Sequence, residues 1–410
     1  MGLFLTNRNY RKLFTASAIT NLGDGVSALA FPWLATLITR DPALIAFVAF
    51  AGRLPWFLLS IPAGVITDRY SRQRLMVQAD LFRLVLTLGV IALIYSLPSL
   101  PPPDSAGGYI LALSGLAFLL GAGEVLRDNA AQTALPSVVG KGDLERANGQ
   151  IWSIEQIMGA FVGPPLAGVL IALAVPAPFA LDAITFGVSA WLIARMAFAP
   201  RRPAPKRSAW VAMREGISWI KAHPTVLRLA IMLGVMNALA MTSLTMLVLF
   251  SQEVLGLGAF GHGMLLTAGA AGGVLGGLLG PGIAARLGNT RSLHLALIVF
   301  PLVFVAIALS SNVWIVAAAL FVEMFVGILW NVVTVSYRQR IIPDDLLGRV
   351  NSIYRFFGWG LSPIGALLGG WIVVLVEPEL GRIIALRAPF ILAGIGMAGL
   401  WVYGLFRLRL

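Results

Sequence analysis

The sequence contains no cysteine, and only 12% of its 410 residues are charged. The first absence excludes disulfides, thiolate catalysis and Cys-ligated metals. The second excludes an ordinary soluble domain, in which about a quarter of residues are charged because the surface faces water. A Gly-x-x-x-x-Gly-Lys-Ser/Thr phosphate loop and a His-Glu-x-x-His motif are also missing. This chain alone is therefore neither an ATP-driven pump nor a zinc hydrolase. Its three histidines, His223, His262 and His294, are scattered along the chain, and no loop is long enough for a catalytic domain. Neither an enzyme nor a cofactor or metal site is expected.

What is abundant is apolar: 58% of residues are hydrophobic, and the mean hydropathy is +0.87. A spanning helix needs roughly 20 mainly apolar residues. Continuous runs of that length occur at 14–38, 44–66, 75–97, 109–133, 151–175 and 179–198, then at 226–250, 262–286, 292–310, 314–337, 353–376 and 388–406. The division between the fifth and sixth rests on Pro176 and Pro178. A β-barrel would instead alternate apolar and polar residues in segments of about ten. The expectation is an all-α membrane protein with twelve transmembrane helices. The first run lacks a small-residue cleavage site and leads straight into further spans, so it reads as a retained helix.

The net charge of +12 is distributed as a topology signal. With the N-terminus inside, one side receives Arg8, Arg11, Lys12, Arg69, Arg72, Arg74, Lys141, Arg146, Arg201, Arg202, Lys206 and Arg207. It also receives Arg286, Arg291, Arg338, Arg340, Arg349, Arg407 and Arg409, while the other side shows Arg40, Arg382 and Arg387. Lys/Arg-rich loops face the cytoplasm, so both termini are expected there and no nucleic-acid partner is implied. The localisation expected is a bacterial inner membrane, multi-pass.

The longest connection carries Pro200, Pro203 and Pro205. It continues as a segment with Trp210, Met213, Ile217 and Ile220 on one helical face, which reads as an interfacial amphipathic helix, either a plain linker or a regulatory latch. The expected division is 1–199, an N-terminal six-helix bundle; 200–225, the amphipathic linker; and 226–410, a C-terminal six-helix bundle. The halves echo each other. Leu135-Pro136 and Arg146-Ala-Asn148 precede Gly163-Pro164, as Ile342-Pro343 and Arg349-Val-Asn351 precede Ser362-Pro363. Internal repeats of this kind are common in secondary transporters.

Between the second and third spans the chain reads Gly64-Val-Ile-Thr-Asp68-Arg69-Tyr-Ser-Arg72-Gln-Arg74. Gly64 would let helix backbones approach closely, and an acid among arginines can form a charge lock. This loop resembles the signature loop of the major facilitator superfamily. Asn21-Leu-Gly-Asp24, Pro32-Trp33, Leu54-Pro55 and the Arg146-Ala-Asn148 turn resemble its bacterial drug, macrolide and siderophore exporter branch. The resemblance implies two pseudo-symmetric six-helix bundles, the major facilitator fold. Its cavity would be lined by helices 1, 4, 7 and 10, and Asp68, Arg69, Arg72 and Arg74 would form a gate latch, with Asp128 a plausible partner. The corresponding loop of the second half has Ala284 where an acid would stand, so the latch is expected in the first half only. Gly159, Gly163, Pro164 and Gly168 resemble the glycine-proline motif of the family's antiporters; small residues at this spacing also serve plain helix packing.

Ionisable groups in hydrocarbon cost at least ~2.5–3.5 kcal/mol and usually face a cavity or a partner. Asp24 falls at the middle of helix 1, Glu323 at the middle of helix 10, and Glu124 and Arg127 three residues apart in helix 4. Asp24 is the expected main proton-coupling carboxylate, with Glu323 or Glu124 second, since burial favours a carboxyl that loads and releases protons. A static helix–helix contact or pairing with Arg53 is the structural alternative for Asp24, and an intrahelical ion pair is that for Glu124 and Arg127. Asp80 and Arg83 read as a structural i,i+3 pair, whereas Asp182 and Glu253 read as solvated. Candidate substrate contacts are Arg53, Arg127, Asn237, Asn331, Trp33, Trp330, Trp359 and Phe57. The expected function is proton-coupled efflux of an amphipathic or lipophilic small molecule by a monomer in contact with membrane lipid. A nutrient importer and a lysophospholipid flippase of the same fold are the alternatives.

Overall fold

The structure, a computed structural model, describes residues 2–102, 106–197 and 209–408, but not the side chains of 61, 68, 141, 209–213, 344, 345, 347–349, 351, 352 and 355 within them. Basic residues 201, 202, 206, 207 and 409 and the prolines at 200, 203 and 205 lie outside these residues, as do the side chains of Asp68, Trp210 and Met213. Among the described residues there is no strand. The long helices are α1 (Arg8–Ile38), α2 (Pro42–Arg69), α3 (Arg72–Ser96), α4 (Ala106–Val138), α5 (Leu144–Leu173) and α6 (Ala177–Ala194). They continue with α7 (Pro224–Glu253), α8 (Ala259–Leu287), α9 (Asn289–Leu309) and α10 (Val313–Ile341). Next come α11, in segments Asp344–Gly360 and Ser362–Leu380, and α12 (Ala388–Arg407). Among the described residues, eleven spans are long and apolar enough to cross a membrane. The remaining helix, α1, is 31 residues long and carries Asn21 and Asp24 in its apolar part. A short helix, Ala209–Ala222, precedes α7.

Most helices begin before the apolar runs do, and polar side chains cap some of them. Asn7 accepts from the Tyr10 amide, Ser71 from that of Arg74, and Asn312 from those of Trp314 and Ile315, each occupying orphan first-turn donors. The chain clusters into two compact units. The first comprises Met1–Arg40, Val48–Pro205 and Gly258–Met264; the second comprises Asp41–Phe47, Lys206–Leu257 and Leu265–Leu410.

In the first unit α1 packs on α5 and α6, and α3 on α4 and α6; in the second α7 packs on α11 and α12, and α9 on α10 and α12. The same pairings recur, as the sequence echo implies. The proline steps recur too. In α5, Pro164 and Pro165 supply no amide hydrogen. The residues before them widen into a π-helical turn, Gln156–Val162, closed by the Gly163 amide on the Met158 carbonyl five residues back. In α11 the helix breaks at Leu361, just before Ser362-Pro363.

At the basic end of the first unit, side chains close the C-terminal turns of helices. Asn7 Nδ2 donates to Val138 O at 2.8 Å, Asn9 Nδ2 to Ala197 O at 2.7 Å, and Gln73 Nε2 to Met196 O at 2.8 Å. A buried cluster around Tyr10, Leu13, Met76, Leu135 and Ile193 lies beneath them. In the second unit Glu253, expected to be solvated, instead receives Arg382 Nε at 2.8 Å and Nη2 at 3.0 Å. The Nη1 of Arg382 reaches Glu377 at 3.0 Å. On the helix before α7, Ile220 is buried while Ile217 is exposed, so that face is only partly covered.

Candidate functional site

The site grows from three consecutive residues of α1, which point about 100° apart. A Cβ on Gly23 would strike Asp182 and Thr185 of α6, and one on Gly25 would lie 2.7 Å from the Gly159 Cα of α5. Glycine on either side of Asp24 thus lets α1 approach two helices closely. Asp24 itself turns to a third. Its Oδ1 accepts a hydrogen bond from Nη2 of Arg83 on α3. The expected structural partner, Arg53, is exposed and forms no ion pair among the described residues. It lies within electrostatic reach of Glu124.

Arg83 is 4% exposed. Its stem runs where a Cβ on Gly123 would lie, 2.7 Å from its Cγ, and its guanidinium carbon stands 4.2 Å from the centre of the Phe186 ring. Both its Nε and its Nη1 lack an acceptor. Asp24, Glu124, Asp182 and Asp80 all act on it electrostatically. The expected Asp80–Arg83 pair within α3 does not form, because the two side chains serve different neighbours. Asp80 is fully buried; it accepts from Ser189 of α6 at 2.6 Å and faces Arg127 Nε of α4 at 3.6 Å.

Arg127 is likewise buried and contacts Asp128 Oδ1 at 3.6 Å. It therefore pairs with Asp80 and Asp128 rather than with Glu124. Asp182, expected to be solvated, is 2% exposed. Its Oδ2 accepts from Ser27 of α1 at 2.5 Å, and its Oδ1 lies 3.4 Å from Thr185 Oγ1. Glu155, at the start of the π-helical turn, stands within reach of Asp128, Arg127 and Asp24. Six carboxyls from α1, α3, α4, α5 and α6 thus surround two buried arginines. Glu155 and Asp182 were not among the expected site residues. The signal for Asp182 was available: it is the one charged residue of α6, and Asp182, Thr185 and Ser189 form a stripe at helical spacing.

The remaining candidates are not gathered with this cluster. Glu323 is half-buried in α10, with no hydrogen bond or ion pair among the described residues. Asn237 donates to Gly358 O at 2.7 Å and so ties α7 to α11. Trp330 is fully buried on the α10 stripe with Val326 and Val333. Trp33 is buried beside His262, at a ring separation of 6.1 Å, whereas Asn331, Trp359 and Phe57 are exposed. Of the latch residues, Arg69 and Arg74 are exposed and Arg72 half-buried. A Cβ on Gly64 would meet nothing within 4 Å, so that glycine serves no close approach here. Gly159 and Gly163 do: a Cβ on Gly163 would lie 2.6 Å from the Gly25 Cα, and one on Gly168 would crowd Phe260.

A group of His, Cys, Asp or Glu side chains able to hold a metal is absent among the described residues. The chain is 28% identical to the multidrug efflux pump Tap of Mycolicibacterium fortuitum, covering 95% of each protein. It is 24% identical to the enterobactin exporter EntS of Shigella boydii, over 92% of this chain and 88% of that one. It is also 23% identical to the staphyloferrin A transporter of Staphylococcus aureus, over 87% of each. Among solved structures, a nucleoside transporter, NupG, superposes with a TM-score of 0.79 at 10% identity, covering 98% of this chain and 100% of that one. A bacterial homologue of the iron transporter ferroportin, in an inward-facing state, gives 0.73 at 17% identity, covering 96% and 98%. The model of the family described as transmembrane secretion effector matches residues 4–398. The chain is a multi-pass membrane transporter, not an enzyme, and belongs to the transmembrane secretion effector family within the major facilitator superfamily.

Proposed function

We propose that this chain is a proton-coupled secondary exporter of amphipathic or lipophilic, preferentially cationic small molecules, working as a monomer by alternating access. The observation that carries this reading is the Asp24–Arg83 pair. A carboxylate in the middle of an apolar helix, 27% exposed, is held by a buried arginine with two nitrogens still free. Neutralising Asp24 with a proton removes half of that pair, and the excess of acids nearby draws a second positive charge, proton or cargo. One site can thus take either a proton or a lipophilic cation, which is the requirement for exchanging them. The names of two relatives, a multidrug efflux pump and an enterobactin exporter, support export over uptake.

Glu124 lies in the same cluster and is the second proton-coupling candidate; Glu323 is its counterpart in α10. Asp68 with Arg69, Arg72, Arg74 and Asp128 forms the proposed gate latch, and Gly159 and Gly163 of the glycine-proline motif hold α5 against α1. Both termini and the 200–225 linker face the cytoplasm in this reading, in agreement with the distribution of basic residues. The test is transport of tetraphenylphosphonium in proteoliposomes under an imposed pH gradient. Wild type accumulates the cation against its own gradient, and Asp24→Asn does not. Undiminished gradient-driven transport in the mutant removes Asp24 as the coupling group. A wild type that ignores lipophilic cations but carries polar nutrients or lysophospholipid refutes the efflux reading.

A further inference from the structure

Asp182 is a buried carboxyl held by hydroxyls rather than by a cation. It is buried where α6 crosses α1, and no cation is in ion-pair contact with it among the described residues. An unpaired carboxylate in hydrocarbon is costly. Its oxygens meet hydroxyls instead: Ser27 donates to Oδ2 at 2.5 Å, and Thr185 Oγ1 lies 3.4 Å from Oδ1. Thr185 has a single hydroxyl hydrogen, and its closer contact, 2.7 Å, is to the main-chain oxygen of Asp182. Thr185 thus serves two acceptors with one hydrogen and leaves Oδ1 weakly held, whereas a proton on Asp182 would let Oδ1 donate to Thr185 instead.

The charged groups that face Asp182 are Asp24 on α1 and Arg83 on α3. The stretch of α5 from Gln156 to Leu173 has no ionisable residue and α6 has no other, whereas Glu155, on the part of α5 before it that also packs on α1, acts on Asp24. Asp80, also on α3, is engaged by Ser189 and Arg127. Arg83 donates to Asp24 and keeps Nε and Nη1 without acceptors. Ser27, which binds Asp182, lies one helical turn from Asp24 on α1.

We propose that Asp182 is a second proton-binding residue of this transporter, sharing one proton and the Arg83 guanidinium with Asp24. With the proton on Asp182, Arg83 pairs with Asp24. When the proton passes to Asp24, Asp182 becomes the carboxylate and Arg83 pairs with it. The cluster's net charge is the same in both states; only the positions of the proton and the guanidinium change. The use of this exchange for transport rests on the proton-coupled reading above, whereas the sharing itself can be measured without any substrate.

The test is the infrared carbonyl band of protonated carboxyls in the purified full-length protein at neutral pH. Asp182→Asn removes one such band from the wild-type spectrum. In the Asp24→Asn background the same substitution removes nothing, because a permanently neutral residue 24 has already passed Arg83 to an ionised Asp182. A spectrum unchanged by Asp182→Asn shows that the residue holds no proton and overturns the proposal. A band loss of undiminished size in the Asp24→Asn background overturns the sharing. Should Asp182→Asn fail to fold, Thr185→Val takes its place: the band shifts in frequency when its acceptor is removed, and an unmoved band overturns the proposal. In proteoliposomes, Asp182→Asn loses gradient-driven accumulation of tetraphenylphosphonium but keeps gradient-free exchange. A wild type without gradient-driven transport refutes proton coupling and leaves the infrared result standing.

Discussion

The buried arginines differ in what they can give up. Arg83 has a half-exposed partner and free nitrogens, but Arg127 and Asp80 are sealed between α3, α4 and α6. Removing one member of such a pair leaves a lone buried charge and costs roughly 3–5 kcal/mol, while replacing both is far milder. Arg127→Met is therefore expected to lower the melting temperature in detergent sharply, and Asp80→Asn combined with Arg127→Met to recover most of the loss. A double mutant as unstable as the single would show that the two residues are not paired. The positions of these groups were legible in the sequence, since each interrupts an apolar run. Their partners were not. Spacing within a helix offered Asp80 to Arg83 and Glu124 to Arg127, and each offer failed because the side chains answer to neighbouring helices. Asp182 was misread because distance along the chain to a helix end says little about depth in the packing.

Among the elements, the contact between α1 and α5 has the least room. Gly25 and Gly163 meet backbone to backbone, so an added methyl on either must push two helices apart, and overpacking of this kind costs about 1–3 kcal/mol. Gly25→Ala and Gly163→Ala should each lower the melting temperature and, by tilting α1, also impair transport. Gly64→Ala, with open space around its Cβ, should leave the melting temperature unchanged. A Gly64→Ala variant as unstable as the other two would mean that Gly64 also sits in a tight crossing. Helix number and order were legible because apolar runs of spanning length have few other uses. The π-helical turn was not, although Pro164 and Pro165, which cause it, were in plain view. A proline pair reports that amide donors are missing without saying whether the helix bends, breaks or widens. The chain shows two of these outcomes, widening before Pro164 and a break before Pro363.

For the whole molecule, the lack of cysteine turns topology into a direct experiment, because any introduced thiol is the sole reactive one. In the proposed orientation the α4–α5 and α8–α9 connections lie with the termini, and the α3–α4 and α11–α12 connections opposite. Single cysteines at the exposed positions Gly142 and Arg291 should resist a membrane-impermeant maleimide in intact spheroplasts and react once the membrane is opened. Cysteines at Ser99 and Glu379, also exposed, should react in both. The reverse pattern would invert the molecule, putting the basic loops outside. The same four reporters follow the transport cycle. If the basic connections draw together when the substrate pathway opens outward, labelling at Gly142 in opened membranes should slow on adding tetraphenylphosphonium while labelling at Ser99 does not. Equal rates with and without the cation would argue against alternating access gated at that end.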